Sequence, residues 1–282
     1  MVRFGLRSLM TLGLIIVASL CGLHRQLSAQ EASQQPIGPQ ALVNARDALP
    51  LPGSPKRVTR PNGAANGTPG ASEKIIVIGF VDGLARHDDQ KHPEVQFAEY
   101  LRQRYRSRIS AEVFGNHHGR KALRQVLHLL DTDGNGSLSA DEKQHARIVL
   151  YGHSWGAAET LVFARELDDR GIPVLLTIQV DSVAKPGRDD STVPPNVAQA
   201  INLYQSRGPI HGRAQILAAD PGRTTIIGNF HLTYQDTSIN CDNYPWYART
   251  FNRPHHEIEN DPRVWNLAAS LIQSEFTGTG PT

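Results

Sequence analysis

The sequence predicts an α/β fold, in which a mostly parallel sheet is covered by helices on both faces. Three observations carry this prediction. Short runs of β-branched residues recur from residue 74 onward, and segments with helical periodicity separate them. Strands that alternate with helices favour a parallel sheet. The composition, 39% hydrophobic and 20% charged over 282 residues, is that of a globular protein with one large domain or two small ones.

Each element follows from its local pattern. The predicted strands are short apolar runs that suit burial on both faces of a sheet, and they cover residues 74–81, 111–114, 146–152, 173–180, 214–217 and 224–230. The predicted helices place apolar residues three and four positions apart, and they cover 93–105, 122–130, 157–171 and 262–276. Gly171 is a suitable end for the third helix. We expect that residues 185–212 could form a cap.

The N-terminus has the features of an export signal. Arg3 and Arg7 precede an apolar stretch from Ser8 to Leu23, and Ala29 offers a small residue for cleavage. We therefore predict a signal peptide over residues 1–29 and a secreted or periplasmic protein. An uncleaved anchor is the alternative, although a stretch of about 16 apolar residues is shorter than the ~20 needed to span a bilayer. After cleavage we expect no stable membrane span.

The next segment, residues 30–72, is rich in Pro, Gly and Gln and shows no hydrophobic period. This composition is typical of a flexible leader, so the folded domain is predicted to cover residues 73–282. Without Arg3, Arg7 and Arg25, the chain carries 26 basic and 27 acidic residues. Such a balance indicates no nucleic-acid partner and no anionic membrane surface.

The two cysteines exclude a disulfide scaffold and a Cys-rich zinc framework. Signal cleavage would leave only Cys241, so we expect a free, buried thiol there.

A G-x-S-x-G motif, Gly152-His153-Ser154-Trp155-Gly156, lies between a predicted strand and a predicted helix. A sharp strand-to-helix turn needs glycine on both flanks, because the backbone of the serine brings neighbouring positions very close. An ordinary glycine-rich turn is the alternative interpretation. The strand before the motif and the helix after it favour a nucleophile elbow.

With this motif the chain resembles the α/β-hydrolase superfamily, and the resemblance spans most of the predicted domain. It implies a serine, an acid and a histidine in that chain order. Ser154 would be the nucleophile. Asp181, directly after the strand 173–180, would be the acid, with Asp220 as the second candidate. His255 would be the base, on a loop near the C-terminus, with His256 as the alternative.

The resemblance also implies an oxyanion hole of two backbone N–H groups. One would come from Trp155 and the other from Phe80 or Val81. His153, beside the serine, is expected to pack in the interior rather than to act as a base. The polar run 82–92 could line the mouth of the site or be a solvated loop.

Residues 131–142 match the EF-hand loop D-x-[DN]-x-[DN]-G-x5-E throughout, which predicts a bound calcium ion. Alternate positions of such a loop point inward and supply oxygen ligands. The ligands would be side-chain oxygens of Asp131, Asp133 and Asn135, the carbonyl of Ser137, a water held by Ser139 and both carboxylate oxygens of Glu142. Gly136 permits the bend. A polar turn that caps two helices is the alternative.

The sequence contains one such loop and no partner hand, so we expect a structural calcium ion at the edge of the sheet opposite Ser154. The leading hypothesis is an exported serine hydrolase that cleaves a carboxylic ester or thioester, with a small-molecule or lipid-like substrate. Lipase, esterase, acyltransferase and peptidase remain open. A non-catalytic calcium-binding scaffold on a hydrolase fold is the alternative, and a calcium sensor is a third, less favoured one. The sequence leaves the oligomeric state open.

Overall fold

The computed structural model describes residues 74–83, 85–235 and 238–277. The signal peptide predicted for residues 1–29 and the leader predicted for 30–72 lie outside these residues. Among the helices of the described ranges, none is both long enough and apolar enough to cross a membrane.

The core of the fold is a six-stranded sheet in which every neighbouring pair is parallel. Its strands, in spatial order, are β2 (Ile109–Gly115), β1 (Ile75–Val81), β3 (Ile148–His153), β4 (Val174–Val180), β6 (Val197–Tyr204) and β8 (Thr225–His231). Two short strands, β5 (Thr192–Val193) and β7 (Leu217–Ala218), pair with each other outside this sheet. The parallel sheet predicted from the sequence is confirmed.

Helices cover both faces of the sheet. They are α1 (Pro93–Arg104), α2 (Gly119–Leu130), α3 (Ala140–Gln144), α4 (Trp155–Asp168), α5 (Trp246–Phe251), α6 (Arg253–Asn260) and α7 (Pro262–Thr277). Successive strand residues point to opposite faces. Val77 and Tyr151 accordingly share one apolar cluster with α1 and α7, whereas Ile78 and Leu150 share the other with α2 and α4.

Strand β6 lies within residues 185–212, for which the sequence suggests a cap. That suggestion is wrong for the residues of β6, which belong to the central sheet. Two polar residues within β6, Gln199 and Asn202, interrupt its apolar run, so the sequence lacks the continuous apolar pattern that predicts a buried strand. Asn202 is buried, but its amide donates to the carbonyl of Arg213 at 2.8 Å and to Oδ1 of Asn229 at 3.1 Å. These acceptors come from later in the chain, so the local pattern gives no sign of them.

The strand predicted over 214–217 is also wrong in part, because only Leu217 of that run is in a strand, the two-residue β7. The other predicted strands and helices are present with shifts of a few residues at their ends. After β4, the connections between parallel strands contain no helix, unlike the alternation that the sequence suggested.

The sheet packs closely against the start of α4. A Cβ atom added at Gly156 would lie 2.1 Å from the carbonyl oxygen of Phe80 and 2.9 Å from that of Val81. These are backbone atoms of a central strand, which cannot move aside without disturbing the sheet. Only glycine fits at this position.

We therefore expect Gly156→Ala to lower the free energy of unfolding by about 3 kcal/mol, the upper end for an overpacked core. Urea denaturation followed by circular dichroism measures this change. Gly119→Ala is the matched control, because it also lies in the first turn of a helix, but its Cβ would meet side-chain carboxylates rather than backbone, those of Glu159 at 2.8 Å and Glu166 at 3.9 Å. Equal stability of the two variants would contradict the prediction.

Candidate active site

Ser154 lies in a sharp turn between β3 and α4. Its backbone has φ 56° and ψ −122°, a conformation that non-glycine residues seldom adopt. Its N–H donates to the carbonyl of Val180 at 2.9 Å, and its carbonyl accepts from Val183 at 3.3 Å. A Cβ at Gly152 would lie 2.5 Å from the backbone of Gly156. The strand–turn–helix context that the motif requires is thus present.

Asp181 is the first residue after β4 and is fully buried, with a positive φ of 45°. Its carboxylate accepts four hydrogen bonds. The donors are the Gln205 N–H (3.0 Å), the Gln205 side-chain amide (2.8 Å), the Gly212 N–H (2.7 Å) and Nδ1 of His255 (2.6 Å). Gly212 approaches so closely that a Cβ there would lie 2.4 Å from Oδ1 of Asp181. These contacts hold the carboxylate in one orientation.

His255 is the histidine that the structure pairs with Asp181. It is 2% exposed and lies in the first turn of α6, so the prediction of a loop position is wrong. Burial alone lowers the pKa of His255, but the hydrogen bond and the negative charge of Asp181 outweigh it, so that the pKa is raised. The other candidates lie elsewhere: the ring of His256 stacks on Tyr244 at 3.9 Å, and Asp220 accepts the Gly222 N–H in a turn.

Within the described residues, the Ser154 hydroxyl makes no hydrogen bond to His255. In structures without substrate, catalytic hydrogen bonds are often long or poorly aligned. Ser154 and Asp181 are nevertheless fixed at the ends of adjacent strands, because the Ser154 N–H is bonded to the residue just before Asp181. The carboxyl ends of neighbouring parallel strands are where ligands bind in open α/β sheets.

The two predicted oxyanion donors differ in their surroundings. Trp155 is the first residue of α4, where a helix leaves its N–H groups without an internal partner. Phe80 pairs with Phe114 of β2 and with Gly152 of β3, so its N–H lies within the ladder of the sheet. The geometry therefore favours Trp155 as one donor and, for the second, a residue that follows Phe80. Asp82 brings a carboxylate oxygen within 4.8 Å of ring nitrogens of His153 and His255.

His153 is buried, as predicted, but its surroundings are not those of a simple packing residue. Its ring lies 4.4 Å from that of His255, and both of its ring nitrogens lack a hydrogen-bond partner in the described part of the chain. Its Nδ1 lies 3.4 Å from a carboxylate oxygen of Glu259. Burial lowers the pKa of His153.

Gln205 and Gly212 are site residues that the sequence analysis missed. Both hydrogen-bond to Asp181, and both lie within residues 185–212, for which the sequence suggests a cap. Gln205 follows β6, so correct identification of that strand would have placed it beside Asp181 at the carboxyl edge.

The loop 131–142 is mostly exposed, begins directly after α2 and ends in the first turn of the five-residue helix α3. Carboxylate oxygens of Asp131, Asp133 and Glu142 lie within 4.8 Å of one another. Gly136 has φ 81°, as the bend requires. The backbone N–H groups of Ser139 and Thr132 donate to Glu142 and lower the pKa of its carboxyl group to about 2. This acid is ionised at neutral pH.

The other two predicted ligands belong to the same loop. The side-chain oxygen of Asn135 accepts from the N–H and hydroxyl of Ser137, at 2.8 and 2.7 Å. Leu138 packs against the apolar cluster on the α2 side of the sheet and anchors the loop. A cleft joins the loop to Ile172, just before β4 begins, which places the loop at the amino edge of the sheet.

No family model and no curated protein matches this chain. Among solved structures, the chain is similar to RedJ, which was solved with a polyethylene glycol molecule bound in its active site. The two are 11% identical, the match covers 71% of this chain and 96% of that one, and the TM-score is 0.28. The likeness is therefore distant.

The raised pKa of His255 has a measurable consequence. Because folding raises this pKa, the protonated ring favours the folded state: the contribution is fully present below about pH 6.5 and is lost as the pH rises through the raised value. We expect an NMR titration to give His255 a pKa above 6.5. Asp181→Asn should lower that value, because the negative charge is removed. A pKa of His255 at or below 6.5 in the original chain would contradict this assignment.

Proposed function

We propose that the protein is a serine hydrolase that cleaves a carboxylic ester or thioester through an acyl-enzyme. The observation that carries the proposal is the buried 2.6 Å pair of Asp181 and His255, next to the strand end that holds Ser154. A histidine fixed by a buried acid beside a serine in a strained turn is the arrangement of a nucleophilic triad.

In this mechanism the Ser154 oxygen attacks the carbonyl carbon while Nε2 of His255 takes the hydroxyl proton. Asp181 keeps the other ring nitrogen protonated and stabilises the imidazolium that forms. The Trp155 N–H, at the start of α4, stabilises the negative oxygen of the tetrahedral intermediate. His255 then gives its proton to the departing alcohol or thiol. Water attacks the acyl-enzyme in the same way and regenerates Ser154.

Exposed apolar side chains favour a substrate with an apolar portion. Trp155, next to the nucleophile, is 39% exposed. Ile210 is also exposed, and it lies near Asp181, because its carbonyl accepts from the same Gln205 amide that donates to Asp181. The helix α5, just before the helix of His255, exposes Trp246, Tyr247 and Phe251. We therefore propose a small-molecule or lipid-like ester as substrate. Export to the cell exterior or periplasm is part of the proposal and depends on residues 1–29.

A fluorophosphonate probe, which phosphonylates activated serines, tests the mechanism. We expect the purified chain to be labelled at one serine and Ser154→Ala to lose the label completely. Mass spectrometry of the labelled peptide identifies the site.

Ser206→Ala is the matched control, because the Ser206 hydroxyl lies 2.9 Å from a ring nitrogen of His231 but is outside the proposed triad. This variant should label like the original chain. If the folded original chain does not label in calcium-containing buffer, the hydrolase mechanism is wrong, and the non-catalytic calcium-binding scaffold becomes the better hypothesis.

We also propose that the loop 131–142 binds calcium as a structural ion. Its three clustered carboxylates and the ionised state of Glu142 support this, since Ca²⁺ prefers oxygen ligands. The loop joins α2 to the entry of β3, the strand that ends at Ser154, so the ion would stabilise that connection. Its position at the amino edge of the sheet argues against contact with the substrate.

Calcium should raise the thermal midpoint of the chain, because an ion that binds only the folded state stabilises it. At calcium concentrations about 100 times the dissociation constant, the gain is about 2.7 kcal/mol. Glu142→Gln should abolish the calcium-dependent shift. Asp141→Asn, which removes a neighbouring acid that is not a predicted ligand, should retain it. An original chain whose midpoint is the same in calcium and in EDTA would rule out the structural ion.

A further inference from the structure

A second group of side chains of the types that bind metals lies next to His255 of the candidate active site, and we call it the inner cluster. It comprises His92, Glu94, His153 and Glu259, which come from the start of α1, the end of β3 and α6. The side chains of Glu94, His153 and Glu259 are fully buried, and that of His92 is 15% exposed. Neither the proposed hydrolysis nor the calcium loop uses these residues as reactants or ligands.

The spacing of the inner cluster suits one metal ion. Nδ1 of His92 lies 3.2 Å from Glu259, and Nδ1 of His153 lies 3.4 Å from Glu259 and 3.8 Å from Glu94. Potential ligand atoms of His92, Glu94 and Glu259 all lie within 4.8 Å of one another. A tetrahedral ion with bonds of about 2.0–2.1 Å separates its ligand atoms by about 3.3 Å. The three separations between a ring nitrogen and a carboxylate oxygen, 3.2, 3.4 and 3.8 Å, lie within about 0.5 Å of that value.

Several buried atoms of the inner cluster have no partner. Both carboxylate oxygens of Glu94 and both ring nitrogens of His153 lack a hydrogen bond within the described ranges. Buried polar atoms without partners are rare because they lose their bonds to water and gain nothing in return. Here the unpartnered Glu94 oxygen and His153 nitrogen face each other at 3.8 Å, beside Glu259. This convergence of carboxylate oxygens and ring nitrogens suits a bound cation.

Neighbouring hydroxyl groups do not provide partners for the Glu94 carboxylate or the His153 nitrogens. The Tyr244 hydroxyl donates to Glu259, and the Tyr151 hydroxyl donates to the backbone carbonyl of Glu94 rather than to its carboxylate. Burial and the negative charge of Glu259 raise the pKa of Glu94, and a proton there would remove the charge of Glu94 but would leave Nε2 of His153 without a partner.

We propose that the inner cluster binds a divalent transition-metal ion of the zinc class, with His92, Glu94, His153 and Glu259 as ligands. Two imidazoles and two carboxylates suit zinc, whereas calcium and magnesium prefer oxygen ligands alone. The bound ion would therefore differ from the ion of the loop 131–142. The partly exposed His92 marks the side from which the ion enters.

The ion would hold together the elements that carry the candidate triad. Glu259 lies one helical turn after His255 on α6, and the ring of His153 lies 4.4 Å from that of His255. A metal bound to both residues would fix α6 against the end of β3. The proposal does not depend on the hydrolase activity, and metal binding tests it separately.

Cobalt and zinc are the probes for the test. The purified chain is stripped of metal with a chelator and returned to calcium-containing buffer, so that the loop 131–142 is supplied with its own ion. Co²⁺ should then give visible absorption bands of a tetrahedral site at one ion per chain, and Zn²⁺ should displace it. Zinc should also raise the thermal midpoint. Absence of a tight site in the original chain would overturn the proposal.

Variants locate the site. Glu94→Gln keeps the shape of the side chain but loses the charge, and it should weaken zinc binding at least about 100-fold, more than the loss of an outer-shell contact does. Without metal, Glu94→Gln should be at least as stable as the original chain, because the unpartnered carboxylate is gone. His92→Gln, at the partly exposed position, should also weaken zinc binding and is the variant least able to disturb the fold.

The control is the double variant His117→Asn and His118→Asn. These two rings lie 4.1 Å apart near the surface and form another place where zinc could bind. The double variant should keep the tight site. If it loses the tight site while Glu94→Gln and His92→Gln keep it, the zinc binds at the surface and the inner cluster is not a metal site.

Discussion

The hydrogen bond from the Ser154 N–H to the carbonyl of Val180 is the contact on which the candidate site depends. It continues the β3–β4 ladder, in which His153 pairs with Val180, for one step beyond β3. The backbone then leaves the sheet after each of these two strands with a positive φ, at Ser154 after β3 and at Asp181 after β4. Such backbone conformations persist only where the surrounding structure holds them. Here the packing of Gly152 and Gly156 against the backbone holds the first turn, and the hydrogen bonds of Asp181 hold the second.

A buried carboxylate needs partners, and those of Asp181 come from a part of the chain with weak local signals. Gln205 directly follows β6, which pairs with β4 on one side and β8 on the other, and the residue after Gly212, Arg213, accepts a hydrogen bond from Asn202 of β6. The far half of the sheet is therefore part of the site, although it contains none of the proposed reacting atoms. His255 of α6 supplies the remaining hydrogen bond to Asp181. Helix α6 is anchored by Ile258, which packs into the apolar cluster shared with α1 and α7.

The two proposed metal sites differ in how the chain builds them. The loop 131–142 is twelve consecutive residues, and its backbone N–H groups already orient Glu142 and Asp131. The inner cluster draws on α1, β3 and α6, and its members are far apart in the sequence. The loop can consequently form with little help from the fold, whereas the inner cluster exists only once the sheet and its helices have packed.

The sequence by itself determined what depends on neighbouring residues. The apolar runs of β1, β3 and β4 specify buried strands, the glycines of the elbow specify a sharp turn at Ser154, and the spacing of residues 131–142 specifies the loop. The position of Asp181 directly after a strand specifies it as the candidate acid. Only the tertiary structure decided that β6 joins the sheet, that His255 rather than His256 meets Asp181, and that Glu94, His153 and Glu259 converge. The physical reason is that polar residues become tolerable inside a fold only through partners supplied by distant segments, and short-range patterns carry no record of them.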